Sequence, residues 1–311
     1  MIDAPTAAPR LPKIAAVTHV RNDDFFLDLW VRHYGKLIGR QNCFVILDGD
    51  DWSSTADLSD VNVIVVPRWR RKMHRFFIDR RMQQQQMDLL ERIFGQLGYD
   101  YVLKGDCDEY VVPDPRLDKT IQDAVLEADA VGAIYSMGIN VLHDVQREAP
   151  LDPSRDVMSQ RHVAVLSRTY CKVNLMSRTG FEQGLRTCSG GHFVIGDHPV
   201  HVSKSFVMLH LGWGDIPMWR TRAQQRLAVD RDNSFKEYIA WCEALFGRLS
   251  DQAAAAGPLD LAIAAARQEL CYTDDGQRVL KPNGFRHGNF EAEGHKDYLV
   301  RLDDRFHGCL G

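Results

Sequence analysis

The sequence predicts an α/β protein whose core is a mostly parallel sheet flanked by helices. In the first third of the chain, short apolar runs that suit strands alternate with segments whose apolar residues recur at helical spacing. Such alternation is typical of βαβ units, whose consecutive strands run parallel. A composition of 45% hydrophobic and 26% charged residues over 311 positions fits a folded chain with one sizeable domain and accessory parts.

The regular part of the pattern contains four strands and two helices. The helix after the first strand is expected to begin at Asp23 or Asp24, which suit an N-cap, and to stop at Gly39. The second helix carries a stripe of Leu90, Ile93 and further apolar residues, and precedes the fourth strand. The predicted strands of this part are 13–20, 43–48, 61–67 and 99–106.

The pattern becomes less regular after the first third of the chain. Segments 131–141 and 205–213 predict strands, and the segment between them, rich in Gly, Ser, Arg and His, predicts mobile loops. From Ile216 onward the apolar spacing is helical. The predicted organisation is a flexible tail (1–12), an α/β core (13–215) and a helical C-terminal region packed on that core (216–311).

Charge and cysteine content restrict the classes of function. A net charge of −4 argues against a protein that binds nucleic acid through bulk charge. The seven cysteines form no CxxC pair, which favours free thiols in a reducing compartment over a disulfide framework or a zinc site. The chain has no apolar run of membrane-spanning length, and its start lacks the apolar core of a signal peptide. These features predict a cytoplasmic protein.

The segment Leu103–Pro115, LKGDCDEYVVPDP, concentrates acidic residues at the end of a predicted strand. Asp106, Asp108 and Glu109 fall there, and carboxylates so close together need a cation to remain ionised. Mg²⁺ or Mn²⁺ suits oxygen ligands and commonly joins protein carboxylates to substrate phosphates. The alternative is a solvated turn that caps the next helix.

Three stretches in order resemble the glycosyltransferases of family-2-like sequence with the GT-A fold. They are VRNDDFFLDLWVRHYGKLIG after the first strand, FVILDGDDWSST at the second, and the D-x-D-E of Asp106–Glu109. A weaker likeness continues through Lys172, Gly191-His192 and Leu209-His210. The first loop has Asn22-Asp23 where the family has Asn-Glu. The resemblance implies a GT-A, Rossmann-like core and transfer of a sugar from a nucleotide-diphosphate donor to a glycan, lipid-linked or other hydroxyl acceptor.

The resemblance also implies roles for individual residues. It implies a Mn²⁺ or Mg²⁺ ion on Asp106, Asp108 and His210, with Asp106 binding the ion or the ribose, and a loop oriented by hydrogen bonds of Glu109. The residues implied or selected to bind the nucleotide sugar are Arg21, Asn22, Asp48, Arg81, Asp106, Lys172 and His192.

Four of these residues also have an ordinary structural interpretation. His210 suits a buried histidine bonded to the backbone, and His192 a loop residue. Asp48 suits a turn residue that caps its strand, and Lys172 a solvated strand lysine. For inverting transfer a carboxylate base is also required. Glu182, in the glycine-bounded GFEQG, is preferred to Asp197 and Asp215 for that role.

A basic segment, RWRRKMHRFFIDRR at 68–81, holds seven Lys or Arg residues in fourteen positions. A solvated face, a grip on a diphosphate and a patch facing anionic lipid are three interpretations of it. Arg80 or Arg81, nearest the helix that leads to the acidic strand end, is predicted to approach the nucleotide. The outer basic residues, with Trp69 and neighbouring aromatics, are predicted to meet an anionic acceptor or the inner membrane surface.

Two other functions remain open from the sequence. A nucleotidyltransferase that makes the sugar nucleotide would carry a glycine-rich phosphate loop after the first strand, but the loop here, Arg21 to Asp24, has no glycine. A non-catalytic carbohydrate-binding relative is the other alternative, and it would have no use for a metal cluster at the strand ends.

Overall fold

The computed structural model describes residues 10–69, 71–72, 74–166, 171–188, 191–195, 200–229, 233–270, 277–278 and 298–310. Residues 1–9 of the flexible tail predicted for 1–12 lie outside these ranges. None of the described helices is both long and apolar enough to cross a membrane.

Four parallel strands form the first half of the main sheet, in the order β3-β2-β1-β4. They are β1 (Ile14–Val20), β2 (Cys43–Asp48), β3 (Asn62–Val66) and β4 (Tyr101–Lys104). Every residue of β1 is buried, as expected for a parallel strand covered on both faces. The crossover helices are α1 (Asp24–Ile38) and α2 (Arg75–Gly95). The predicted α/β fold is confirmed.

Beyond β4 the sheet becomes mixed. The strands added there are β5 (Glu109–Pro113), β6 (Ala133–Leu142), β7 (Val163–Leu166), β8 (Lys172–Ser177) and β11 (Val200–His210). β8 lies antiparallel between β4 and β6, and β11 pairs parallel with β6 and antiparallel with β5. The segment predicted as loops therefore contains core strands. All six residues of β8 are buried, so polar residues such as Lys172 and Asn174 face the protein interior rather than water.

Shorter elements connect these strands. They are α3 (Ile121–Val125), α4 (Arg178–Glu182) and the antiparallel pair β9 (Arg186–Cys188) and β10 (Phe193–Ile195).

α1 packs on the sheet through the stripe that the sequence predicts. Phe26, Leu29 and Trp30 are each about 1% exposed, and burying side chains of this size contributes roughly 1.5–3 kcal/mol each. The helix ends at Ile38 because Gly39 adopts a φ of 88°, a left-handed conformation that favours glycine. Asp23 occupies the N-cap position, but its side chain makes no capping hydrogen bond.

The C-terminal region contributes three helices and three short strands within the described residues. Its helices are α5 (Ile216–Val229), α6 (Ser234–Gln252) and α7 (Leu259–Leu270). Its strands are β12 (Gly257–Pro258), β13 (Gln277–Arg278) and β14 (Tyr298–Arg301), and β14 extends the main sheet beside β7. α5 and α6 pack together through a buried cluster that includes Trp213, Trp219 and Phe246. This region is thus joined to the sheet as well as packed on it.

The strand directions bring distant segments to one edge of the sheet. The parallel strands end at that edge, and β11, which runs parallel to β6, also ends there at His210. The antiparallel strands β5 and β8 begin there, with Glu109 and Lys172. In open α/β sheets this carboxyl edge is where ligands bind. This edge is therefore the expected position of a functional site.

Candidate functional site

Asp108 and His210, two of the predicted metal ligands, lie together at this edge. His210 Nε2 is 3.7 Å from Asp108 Oδ2, and both side chains are about nine-tenths buried. Burial lowers the pKa of His210 to about 4, against the attraction of Asp108, so the imidazole is neutral at neutral pH. Burial would raise the pKa of Asp108, but His210 and Arg222 hold it well below its usual range. Because His210 is neutral at pH 7, the guanidinium of Arg222 accounts for that effect.

Asn140, on β6, sets the orientation of the His210 ring. Asn140 Oδ1 lies 2.6 Å from His210 Nδ1, so Nδ1 carries the proton and Nε2 directs its lone pair towards Asp108. A histidine that binds a metal ordinarily donates its other ring N–H to such an oxygen. Asn140 Nδ2 is buried without a hydrogen-bond partner among the described residues, and it marks a polar environment beside the ring.

Gly212 allows the two predicted ligands to approach each other. A Cβ atom at this position would lie 2.6 Å from His210 Nε2 and 2.9 Å from Asp108 Oδ2. Both distances are shorter than side-chain contacts allow, so only glycine leaves room here. The space next to both donor atoms therefore depends on the absence of a side chain at 212.

The donor set of Asp108 and His210 fits a Mn²⁺ or Mg²⁺ ion. A carboxylate oxygen and a neutral imidazole are suitable ligands, and such ions usually take one or two carboxylates together with water and substrate phosphates. No group of three or more His, Cys, Asp or Glu residues within the described ranges is arranged to hold a metal. Asp106 shares the loop with Asp108, but its carboxylate pairs with Lys172. The metal itself stays a prediction.

Lys172 is buried and balances the other two carboxylates of the acidic loop. Its ammonium group forms an ion pair with Glu109 and lies 3.3 Å from Asp106 Oδ2. Burial would lower the pKa of Lys172, but Asp106 and Glu109 raise it well above its usual range. The interpretation as a solvated strand lysine is wrong, since the residue is 4% exposed. Glu109 Oε2 accepts a hydrogen bond of 3.2 Å from the backbone N–H of Asp106, which fixes the loop.

The other cation of the acidic loop is Arg222, which the sequence pattern does not single out. Its Nη1 lies 2.7 Å from Asp108 Oδ2 and 3.3 Å from Asp23 Oδ2. Arg222 is separated from Asp108 by 114 positions in the sequence, on a helix with an ordinary pattern of charges. No local signal could have connected the two.

The loop after β2 is held by arginines from three segments. Arg81 Nη1 donates to Asp48 Oδ1 at 3.1 Å, and Arg21 and Arg68 both pair with Asp51. Arg21 also donates to the carbonyl oxygen of Asp48. The structure thus brings the predicted nucleotide-binding residues Arg21, Asp48 and Arg81 together. Asn22, between β1 and α1, adopts a φ of 52°, a conformation that asparagine tolerates better than most residues.

His192 lies on the side of the site near β4. Its neighbour Gly191 packs against the buried side chain of Lys104, where a Cβ atom would be 2.9 Å from the Lys104 Nζ. Gly191 has a φ of 86°, a backbone conformation that favours glycine. This placement brings His192 to the carboxyl edge, where Lys104 ends β4.

The predicted base, Glu182, lies away from this edge. It ends α4, which follows β8, and β8 runs from the site edge at Lys172 to the opposite edge at Ser177. Glu182 is exposed at that opposite edge, so its position does not suit the base of a reaction at the acidic loop. Asp215 is buried and caps α5 through the N–H of Met218. Asp197 lies outside the described residues.

The basic segment forms an exposed surface beside the site. Trp69, Phe76 and Phe77 are 48%, 43% and 53% exposed, which is unusual for large apolar side chains clustered in one segment. Arg81 lies inward, over the Trp69 ring at 5.9 Å from its centroid, and reaches Asp48. The segment therefore has an inner arginine at the site and outer aromatic and basic side chains in contact with solvent.

No family model matches the chain, and no curated protein matches it. Solved structures similar to it include a cytidylyltransferase from Leptospira borgpetersenii serovar Hardjo-bovis, at 8% identity over 55% of this chain and 63% of that chain, with a TM-score of 0.26. A mannose-1-phosphate geranyltransferase from Thermus thermophilus aligns at 10% identity over 71% of this chain and 66% of that chain, with a TM-score of 0.27.

A third similar structure is a putative glucose-1-phosphate thymidylyltransferase from Bacillus anthracis in complex with sucrose, at 11% identity over 72% of this chain and 99% of that chain, with a TM-score of 0.30. The match spans less than two thirds of the cytidylyltransferase. Two of the three names are nucleotidyltransferases, the alternative predicted from the sequence, and none is a glycosyltransferase. Similarity this low does not support a functional assignment.

Proposed function

We propose that the protein is a metal-dependent glycosyltransferase that moves a sugar from a nucleotide-diphosphate donor to a hydroxyl acceptor. The observation that supports this most is the buried pair of Asp108 and His210, with Asn140 orienting the imidazole and Gly212 leaving space beside both. A carboxylate and a neutral imidazole converging at the carboxyl edge of an α/β sheet suit a divalent ion that is completed by water and phosphate oxygens.

In this proposal Asp108 and His210 hold the ion, and Asn140 keeps the Nδ1 proton in place so that Nε2 can act as a donor atom. A bound Mn²⁺ or Mg²⁺ would neutralise charge on the departing diphosphate. Lys172 pairs with Asp106 and Glu109 and places a positive charge beside both carboxyl groups of the loop. Asp106, which is 40% exposed at the side chain, then remains able to meet the ion's water shell or a ribose hydroxyl.

The donor's nucleoside is assigned to the loop after β2. Arg21, Arg81 and Asp48 form a hydrogen-bonded group there, close to the carboxyl ends of β1 and β2. Arg81 holds the carboxylate of Asp48 in one orientation. A fixed carboxylate is suited to accept hydrogen bonds from the hydroxyl groups of a ribose. For the acceptor we propose a single contact surface, the exposed basic and aromatic segment near Trp69.

The second candidate is synthesis of the sugar nucleotide. The loop after β1 argues against it, because Arg21 is engaged with Asp48 and Asp51 and the loop has no glycine with which to cradle phosphates. One experiment separates the two functions. The protein is incubated with Mn²⁺ and either a panel of nucleotide-diphosphate sugars or a panel of nucleoside triphosphates with sugar 1-phosphates.

We expect release of a nucleoside diphosphate from at least one sugar nucleotide, and its loss in EDTA. Asp108→Asn should abolish this release, and His210→Ala should weaken both the release and Mn²⁺ binding. Asp114→Asn is the matched control, because this carboxylate of the same acidic stretch pairs with Arg116 and not with His210. Formation of pyrophosphate from a triphosphate and a sugar 1-phosphate, with no reaction of sugar nucleotides, would establish the second candidate instead.

A further inference from the structure

Arg222 connects the C-terminal helices to the acidic loop. From α5 its Nη1 donates to Asp108 Oδ2 at 2.7 Å, and its Nη2 donates to the carbonyl oxygen of Gly212 at 2.7 Å. The guanidinium also lies over the Phe26 ring, 4.6 Å from its centroid. With its side chain only 12% exposed, this arginine is part of the site interior rather than of the surface.

The same carboxylate oxygen serves two neighbours. Asp108 Oδ2 accepts the hydrogen bond from Arg222, and it is also the oxygen that faces His210 Nε2 at 3.7 Å. An ion held between Asp108 and His210 would have to share this oxygen with a guanidinium. Two positive charges so close together repel strongly in a buried site, so the ion and Arg222 cannot both bind Asp108 fully.

A second carboxylate is available to Arg222. Asp23, at the start of α1, is 3.3 Å from the same Nη1, so the guanidinium already bridges Asp23 and Asp108. If an ion takes Asp108, the contacts of Arg222 with Asp23, with Gly212 and with Phe26 remain within reach. The exchange therefore requires a shift of the guanidinium and not its removal into solvent.

We propose that Arg222 is a positioning residue that competes with the divalent ion for Asp108 and moves onto Asp23 when the ion binds. The proposal rests on the proposed function, since the ion is the one assigned there to Asp108 and His210. In the absence of the ion, the hydrogen bond from Arg222 orients Asp108 and places a positive charge beside it. With the ion bound, Arg222 connects α5 to Asp23 in place of Asp108. Ion binding is thereby coupled to the packing of the C-terminal helices on the core.

The test is Mn²⁺ binding to the purified full chain, measured by the loss of the electron paramagnetic resonance signal of free Mn²⁺. Arg222→Met retains the length of the side chain without its charge, and we expect it to bind Mn²⁺ about tenfold more tightly or better. Arg222→Lys retains the charge and should remain close to the wild type. Arg220→Met is the matched control, because this exposed arginine on the same helix pairs with Glu243.

Asp23→Asn gives an independent measurement that does not depend on the folding of the Arg222 variants. Without the carboxylate of Asp23, Arg222 pairs with Asp108 alone and competes more strongly with the ion. Mn²⁺ should therefore bind about threefold to tenfold more weakly. Unchanged binding in Asp23→Asn, or binding in a folded Arg222→Met that is no tighter than in the wild type, overturns the inference.

Asp108→Asn separates this outcome from failure of the proposed function. If Mn²⁺ binding disappears in Asp108→Asn but does not respond to the changes at Arg222 and Asp23, only the competition is refuted. If the wild type binds no Mn²⁺, or Asp108→Asn binds it equally well, the proposed metal site fails, and the inference fails with it.

Discussion

Replacing Lys172 by methionine is expected to lower the free energy of unfolding by about 3–5 kcal/mol. The size follows from burial: Lys172 and Glu109 are 4% and 1% exposed, and the variant leaves the Glu109 carboxylate in the interior without its cation. With an unfolding entropy of about 2.1 cal/mol/K per residue, this loss corresponds to a melting temperature lower by roughly 5–8 °C. Urea unfolding near pH 7.5, followed by tryptophan fluorescence, measures it.

The double variant Lys172→Met/Glu109→Gln shows whether the stability lost in Lys172→Met comes from the unpaired buried carboxylate of Glu109 or from lost packing of the lysine side chain. Removing both charges should recover more than half of the stability, because the neutral amide costs far less to bury than a carboxylate. The single variant should also become relatively more stable as the pH falls. Burial raises the pKa of Glu109 to about 7 even beside Lys172. Loss of the cation raises this pKa further, so the folded protein holds a proton that the unfolded chain releases.

Two outcomes would refute this reasoning. A loss below about 1 kcal/mol in Lys172→Met would match a surface pair and not a buried one. A double variant no more stable than the single variant would show that the lost stability comes from packing, and that Glu109 is not stranded by the loss of its partner.

Other variants test further parts of the structure. Burial raises the pKa of Asp23 to about 6 in the folded protein, so protonation of Asp23 stabilises the fold fully below about pH 4, and this stabilisation is lost as the pH rises through 6. Over that interval the free energy of unfolding of the wild type should fall by about 3 kcal/mol relative to that of Asp23→Asn. Urea unfolding at a series of pH values measures this difference. Gly212→Ala should displace His210 and weaken Mn²⁺ binding at least about tenfold, as measured by the electron paramagnetic resonance titration. Gly247→Ala is the control, because nothing lies within 4 Å of an added Cβ there, and its Mn²⁺ binding should not change. Equal Mn²⁺ binding in both variants would show that the site does not require the absence of a side chain at position 212. The sequence predicts that the exposed basic and aromatic segment meets an anionic acceptor or anionic lipid. If lipid is the partner, a Phe76→Ser/Phe77→Ser double variant should reduce sedimentation with phosphatidylserine vesicles, and sedimentation equal to that of the wild type would count against this contact.

The first half of the fold was predictable because its signals are local. Strand runs, the helical stripe of α1 and the stop at Gly39 all lie within short windows, and the structure has them where the sequence predicts them. β8 was missed because its signal is ambiguous in sequence. Lys172 and Asn174 alternate with apolar residues as on a half-solvated strand, yet both are buried beneath the acidic loop.

The site was predictable only in part, for the same reason. The convergence of Asp108 with His210 follows from the rule that parallel strands end at one edge, so the sequence order of strands was enough. Arg222 could not be found in this way, because its role depends on how α5 docks and not on its neighbours in the chain. The choice of Glu182 was wrong since the direction of β8, which decides to which edge α4 belongs, was unknown.

The carboxyl groups at the end of β4 pair with cations that come from other parts of the chain. Asp108 pairs with Arg222 from α5, and Asp106 and Glu109 pair with Lys172 from β8. The side chain of neither cation is more than 12% exposed. A carboxylate buried without its partner is strongly destabilising, so the loop can adopt this conformation only after β8 and α5 have packed. The C-terminal region thus supplies, through Arg222, one of the two cations of a candidate site whose other residues lie mainly in the core. In the proposed function a divalent ion would enter a site where two cations face the three carboxyl groups of the acidic loop, and its affinity would depend on how readily the guanidinium of Arg222 leaves Asp108.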